Sequence, residues 1–193
     1  MDGDLDLEAV ELTGLQADVL TWTGRRRLRS SRVAGLVAQR WSAVGGSVVG
    51  SVLDGIEVVG LDASGSSWWN VEISGSRIGS GELYDSMWRG VTFTRCKLGF
   101  LNLRNAQLSD VAFVDCVMTD IDLSRATATR VAFPGSRIGR IELAGSKLSD
   151  VDLRAAELGE VADLEGLRGA SITFDQLLDL APRLAVRLGI RVE

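Results

Sequence analysis

From Val91 to Phe133 the chain reads VTFTR CKLGF LNLRN AQLSD VAFVD CVMTD IDLSR ATATR VAF. The third residue of each block of five is apolar: Phe93, Leu98, Leu103, Leu108, Phe113, Met118, Leu123, Ala128 and Phe133. The same phase runs outward without a break from Leu28 to Leu158, and includes Ala38, Ala43, Ala63, Trp68 and Trp88. In a chain that is 46% apolar such a run is a true repeat. Neither a helix nor a lone strand has a period of five. The ladder residue and the residue two before it share one face of an extended segment. The other three residues of each block are mostly polar, glycine or charged and must turn the chain, which frequent glycine two places after the ladder residue suits.

A second period shows how many turns close a coil. Val71, Val91, Val111, Val131 and Val151 recur every twenty residues, as do Leu101, Ile121 and Ile141. Cys96 and Cys116 share a column with Ser76 and Ser136, and Ser66, Ser86, Ala106, Ala126 and Ser146 form the fourth. Four columns mean four sides, with equivalent residues about 4.8 Å apart on successive coils. The ladder then makes about seven to eight coils and a rod of about 35–38 Å. Trp68 and Trp88 overfill one column and the alanine rungs underfill others, so the coils before Val71 are expected to be less regular.

Tandem units such as Ile121-Asp122-Leu123-Ser124-Arg125, Ile141-Glu142-Leu143-Ala144-Gly145 and Val151-Asp152-Leu153-Arg154-Ala155 resemble the pentapeptide-repeat family. The resemblance spans residues 5 to 158, and Ala162-Asp163-Leu164-Glu165-Gly166 fits one more unit after a one-residue slip. It implies an all-β fold, a right-handed quadrilateral β-helix. The quinolone-resistance members of that family are DNA-like rods that bind DNA gyrase. The resemblance therefore implies a non-catalytic interaction rod that binds gyrase or another topoisomerase and protects it from inhibitors. It also implies a homodimer. A scaffold rod for an unspecified partner is the alternative.

Two ends frame the ladder. Leu7, Leu12, Ala17 and Trp22 are five apart but one residue out of phase, so one extra residue is expected within Thr23 to Arg27. Six acids and no base lie in residues 1–24, followed by Arg25, Arg26, Arg27, Arg29, Arg32 and Arg40. At the other end Thr173 reads as an N-cap ahead of an amphipathic helix that Pro182 breaks, with a second helical segment ending at Gly189. The expected division is a β-helix over 1–170 and a C-terminal α-helical cap over 171–193. Leu177, Leu180, Leu184 and Leu188 would cover the open coil or join two rods.

Composition narrows the function. The chain has 193 residues, 26 acids, 21 bases and no histidine, so Ser-His-Asp and Cys-His sites are excluded. The mild acidity argues against direct nucleic-acid binding. Two cysteines, an acidic N-terminus unlike a signal peptide, and no long apolar run predict a cytoplasmic protein off the membrane. No cofactor, metal or catalytic residue is indicated. Cys96 and Cys116 read as small buried fillers rather than a redox pair.

Three surface features remain as candidate interaction sites. Asp62, Glu82, Asp122 and Glu142 form one outward column, broken by Asn102 and flanked by Arg104 and Arg125. It reads as a solvated face or as an imitation of duplex phosphates. Arg25, Arg26 and Arg27 could grip an acidic partner or pair with the acidic N-terminal coil. Ala112, Ala132, Val114, Pro134 and Val117 cluster on one side, and Trp69, Tyr84, Met87 and Phe100 stand at nominally outward positions.

Overall fold

The computed structural model describes residues 6–22 and 26–191. The chain winds into a solenoid of about eight coils with one C-terminal helix. Neighbouring coils pair in parallel at a step of twenty: Val71 lies beside Val91, Val91 beside Val111, Val111 beside Val131 and Val131 beside Val151. Two adjacent sides form one sheet and the other two sides form a second. Ladder residues and those two before them fill the interior. Along the ladder from Leu28 to Leu158 only Leu148 and Leu158, near the C-terminal end, are less than fully buried.

The corners are of two kinds. At three of the four, the residue two after the ladder takes a left-handed conformation, as in Asp110 (φ 56), Asp115 (φ 52) and Asn105 (φ 56). Glycine, asparagine and aspartate tolerate this best and hold most of those positions, although Ser30, Arg95, Arg125 and Arg130 adopt it too. At the fourth corner Ser80, Phe100, Asp120 and Arg140 are not left-handed, and glycine sits one place earlier at 79, 99 and 139, with Thr119 in the remaining coil. There a methyl on Gly79 would come within 2.6 Å of the Val59 carbonyl oxygen, and one on Gly99 would overlap the Gly79 carbonyl oxygen. These glycines serve close approach between coils.

The crowded tryptophan rungs are accommodated. Trp68 and Trp88 lie 5.8 Å apart, and the stack continues from Trp88 through Phe93, Phe113 and Phe133 at 5.6, 4.9 and 5.2 Å. Gly81 occupies an inward position that Leu61, Leu101 and Ile121 fill on other coils. The side chains of Leu101 and Leu83 take the space that a Cβ at Gly81 would enter. The early coils differ from the later ones in strand continuity. The side-to-side strands Ser67–Ser74, Met87–Thr94 and Gln107–Val114 run through their corner, whereas coil two is divided into Arg27–Arg29 and Arg32–Ala34. Where the later strands have Val71 or Val91, coil two has Ser31, whose hydroxyl donates to the Arg29 carbonyl at 2.6 Å. Ser51 donates likewise to Val49 at 2.9 Å. The corner residue is left-handed in both kinds of coil, Ser30 and Gly50 as well as Asn70 and Gly90, and the serine hydroxyl adds a bond to the carbonyl two residues before it.

Both ends depart from the step of twenty. Leu7 pairs with Leu28, Leu12 with Val33 and Ala17 with Ala38, a step of twenty-one, and the step returns to twenty at Arg27 and Ser47. Residues 23–25, where the extra residue was expected, lie outside the described residues. At the far end Ala162–Gly166 is not a further side of the coil. A 3-10 helix spans Leu164–Leu167, and Val151 pairs with Ala170 at a step of nineteen. The helical cap also differs from expectation. One helix, α1 (Phe174–Arg187), runs through Pro182. Proline costs a helix interior about 3 kcal/mol. Contacts with the rod hold α1 together on both sides of it: Gln176 Nε2 donates to the Leu153 and Ala156 carbonyls, both at 2.8 Å, and Arg183 Nη2 to Val161 at 2.6 Å. Thr173 and Gln176 form a reciprocal capping box, and Gly189 (φ 70) ends the helix.

Candidate interaction surfaces

The register stacks Asp62, Glu82, Asn102, Asp122 and Glu142 as one column. Its side chains do not simply face water, because each sits next to a corner. Asp62 Oδ1 accepts from the Ser64 backbone N–H at 3.2 Å, Asp122 Oδ1 from that of Ser124 at 2.9 Å, and Glu142 Oε1 from Leu143 and Ala144 at 3.1 and 3.2 Å. These are side chain-to-backbone turns that fold the carboxylate onto its own corner. Glu82 accepts from Asn102 Nδ2 at 2.6 Å. Arg104 binds Asp122 at 2.6 Å and Arg140 binds Glu142 at 3.0 Å. Asp122 is 3% exposed, so the outward position expected for it is corrected to a buried one. The Asp-x-Ser spacing at 62–64 and 122–124 was the available signal.

The arginine block is distributed along the rod. Arg25 lies outside the described residues. Arg26 is half-buried at an inward position of the second coil, while Arg27 and Arg29 are exposed on a strand beside Ser47 and Val49. The acidic coil faces this block in register, with Glu8 beside Arg29 and Glu11 beside Arg32. Arg32 turns the other way and binds Asp54 at 2.8 Å.

The helix has two apolar sides. Leu180 is buried and Leu184 packs against the rod core. Leu177 is 41% exposed and Leu188 72% exposed, so of the four leucines expected to cover the coil only two do so fully or largely. Phe174 and Leu178 join the outer side.

Elsewhere Ala112, Ala132 and Val114 are half-buried by their neighbours, and Val117 and Pro134 are exposed. Phe100 is half-buried, whereas Trp69, Tyr84 and Met87 are exposed. The cysteines are buried free thiols. Cys96 N–H donates to Cys116 Sγ at 3.4 Å, just as Cys116 N–H donates to Ser136 Oγ at 2.9 Å and Ile56 N–H to Ser76 Oγ at 3.1 Å. Sulfur therefore takes the place of a hydroxyl that satisfies the corner N–H. A hydrogen bond from the Cys116 thiol favours the Cys96 thiolate and pulls Cys96 below the usual thiol range, while Cys116 is pushed up. Among the described residues no helix is long and apolar enough to cross a membrane.

Residues 86–162 match the family model of the pentapeptide repeat region. The sequence matches no curated protein. Among solved structures, full-length QnrB1, a plasmid-mediated fluoroquinolone resistance protein, is 15% identical with a TM-score of 0.40, covering 93% of this chain and 99% of its own. HetL, a pentapeptide repeat protein involved in heterocyst differentiation regulation in the cyanobacterium Nostoc sp. strain PCC 7120, is 12% identical with a TM-score of 0.33, covering 86% and 91%. At these values neither likeness bears on function. Residues 86–162 are thus a pentapeptide repeat region, and the same twenty-residue register continues into the coils before it.

Proposed function

We propose that the chain is a non-catalytic protein-interaction rod that pairs with a second copy of itself through α1. The observation that carries this is the outer side of the helix. Phe174, Leu178, Ala181, Ala185 and Leu188 recur at alternating spacings of four and three. This stripe lies away from Leu180 and Leu184, which face the rod. Phe174 is 71% exposed and Leu178 55% exposed. A helix that has already buried one apolar face and presents a second at heptad spacing is shaped for another helix. Ala181 and Ala185, at the middle of the stripe, leave room for close approach. Pairing would also cover the capped end and leave the sides of both rods free for partners. Multi-angle light scattering on the intact chain tests the reading: a two-chain mass supports it and a one-chain mass contradicts it.

A second reading is the DNA-mimic that binds gyrase. The stacking of Asp62, Glu82, Asp122 and Glu142 at coil spacing supports it. The arginines at 104 and 140, bound to two of those acids, make the strip mixed in charge and place this reading second. A gyrase supercoiling assay with and without a fluoroquinolone decides it. Inhibition or protection would support the mimic, and neither effect would reject it.

A further inference from the structure

The side of the rod built on Leu28, Val48, Trp68, Trp88, Leu108, Ala128 and Leu148 carries a charge pattern opposite to that of the whole chain. From coil two to Ser149, its two outward rows contain Arg27, Arg29, Arg89 and Lys147 and no Asp or Glu. The corresponding rows of the other three sides contain Glu72, Glu57 and Glu82 among other acids, and the net charge of the chain is −5. Arg89 and Lys147 make no ion pair among the described residues. The nearest corner acid, Asp110, is held on two atoms by Arg130 at 2.6 and 2.9 Å. The hydrogen bond from Arg130 keeps the Asp110 carboxyl below its usual range, and the charge of Arg89 adds to this, so Arg89 feels Asp110 at the corner without bonding to it.

The same face has an apolar centre. Trp69 is 48% exposed and Met87 45% exposed, and both line a depression of about 360 Å³ together with Arg89 and Arg130. Trp69 lies between Val49 below and Arg89 above. Tryptophan, methionine and arginine at the centre, with hydroxyl and amide side chains around them, are the residues enriched at protein–protein contacts. The strands of this face are paired on both edges, so a partner cannot join the sheet and must dock on side chains.

We infer that this face binds an acidic segment of a partner protein, with an apolar side chain of the segment seated between Trp69 and Met87. Arg29 and Arg89 are three coils apart, about 14 Å at the sheet spacing. A nucleic-acid strand carries a phosphate on each nucleotide and calls for a denser row of cations. A peptide with separated carboxylates and one apolar anchor fits the observed spacing. The inference rests on the reading of the chain as an interaction rod and names the partner class for one of its faces.

The test uses fluorescence anisotropy of a fluorescein-labelled glutamate-rich peptide with a central leucine, titrated with the intact chain at low and physiological salt. Binding is expected, weakened at higher salt. Trp69→Ala and Arg89→Glu should each weaken it about tenfold or more, and Lys97→Glu, on another side, should leave it unchanged. A glutamine-for-glutamate peptide should not bind. Circular dichroism confirms that the variants keep their fold. Absence of binding, or equal binding by Trp69→Ala and Arg89→Glu, overturns the assignment. So does tighter binding of an oligothymidylate of the same length, which would make the face a nucleic-acid surface. Light scattering on the same samples separates the two conclusions, since a chain that pairs but ignores the peptide overturns this assignment alone.

Discussion

Arg104 Nε donates to Asp122 Oδ2 at 2.6 Å across neighbouring coils, with the carboxylate nearly buried and the guanidinium half exposed. The other carboxylate oxygen holds the Ser124 N–H. Asp122 thus ties its own corner to the coil before it. Asp122→Ala removes both bonds and should cost about 1–3 kcal/mol in urea unfolding. Asp122→Asn keeps an acceptor for Ser124 and should cost less. An unfolding midpoint unchanged in Asp122→Ala would show that the carboxylate does no structural work.

Asp152 gives a pH-dependent version of the same arrangement. Hydrogen bonds from the Arg154 guanidinium and backbone hold its carboxyl at about 2. An unfolded aspartate titrates near 3.9, about two units higher. The folded state is therefore favoured above about pH 4, and this contribution is lost as pH falls from about 4 toward 2. Asp152→Asn should flatten the loss of stability in that window and leave the curve above it parallel to wild type. Chemical unfolding across the pH series checks this, and identical acid limbs would contradict it.

The interior makes a sharper demand. Phe113 is fully buried between Phe93 and Phe133, with ring planes 12° and 4° from its neighbours. Phe113→Ala opens a cavity that the stacked coils cannot close and should cost about 3–5 kcal/mol. Gly99→Ala places a methyl on the Gly79 carbonyl oxygen and should destabilise the rod by forcing two coils apart. Thermal unfolding followed by circular dichroism measures both, and wild-type melting of Gly99→Ala would show that this corner opens easily.

The thiols test what stacking implies for reactivity. Both cysteines are 1% exposed and bonded to backbone carbonyls or N–H groups of the coil. Native protein should react with a disulfide reagent only as fast as the rod opens, while denatured protein reacts at once on both sulfurs. Rapid native labelling of either sulfur would place it at the surface.

The repeats were legible because burial acts on single residues at fixed intervals. The ladder from Leu28 and the twenty-residue column from Val71 to Val151 follow from which side chains are apolar. Thr173 and Gly189 likewise mark helix ends through local backbone chemistry. What escaped depends on contacts between coils. Pro182 reads as a helix break in isolation, yet α1 continues because Gln176 and Arg183 bind rod carbonyls far away in sequence. Asp122 reads as an outward acid, yet Arg104 and the Ser124 N–H draw it in. Gly81 gives no sign that the side chains of Leu83 and Leu101 fill the inward position it leaves empty. The exposed seam of α1 was hidden for a similar reason: which of its two apolar sides meets the rod depends on where the last coil ends.

That seam carries the central claim, and sedimentation of paired variants tests it most directly. Wild type should sediment as a species of twice the 20.7 kDa chain mass. Leu178→Asp, on the outer stripe, should fall to a single-chain mass with its rod unfolding unchanged, whereas Leu184→Asp, on the rod side, should first lower stability. A wild-type chain that sediments at 20.7 kDa at every concentration, or a Leu178→Asp chain that stays paired, would contradict the account.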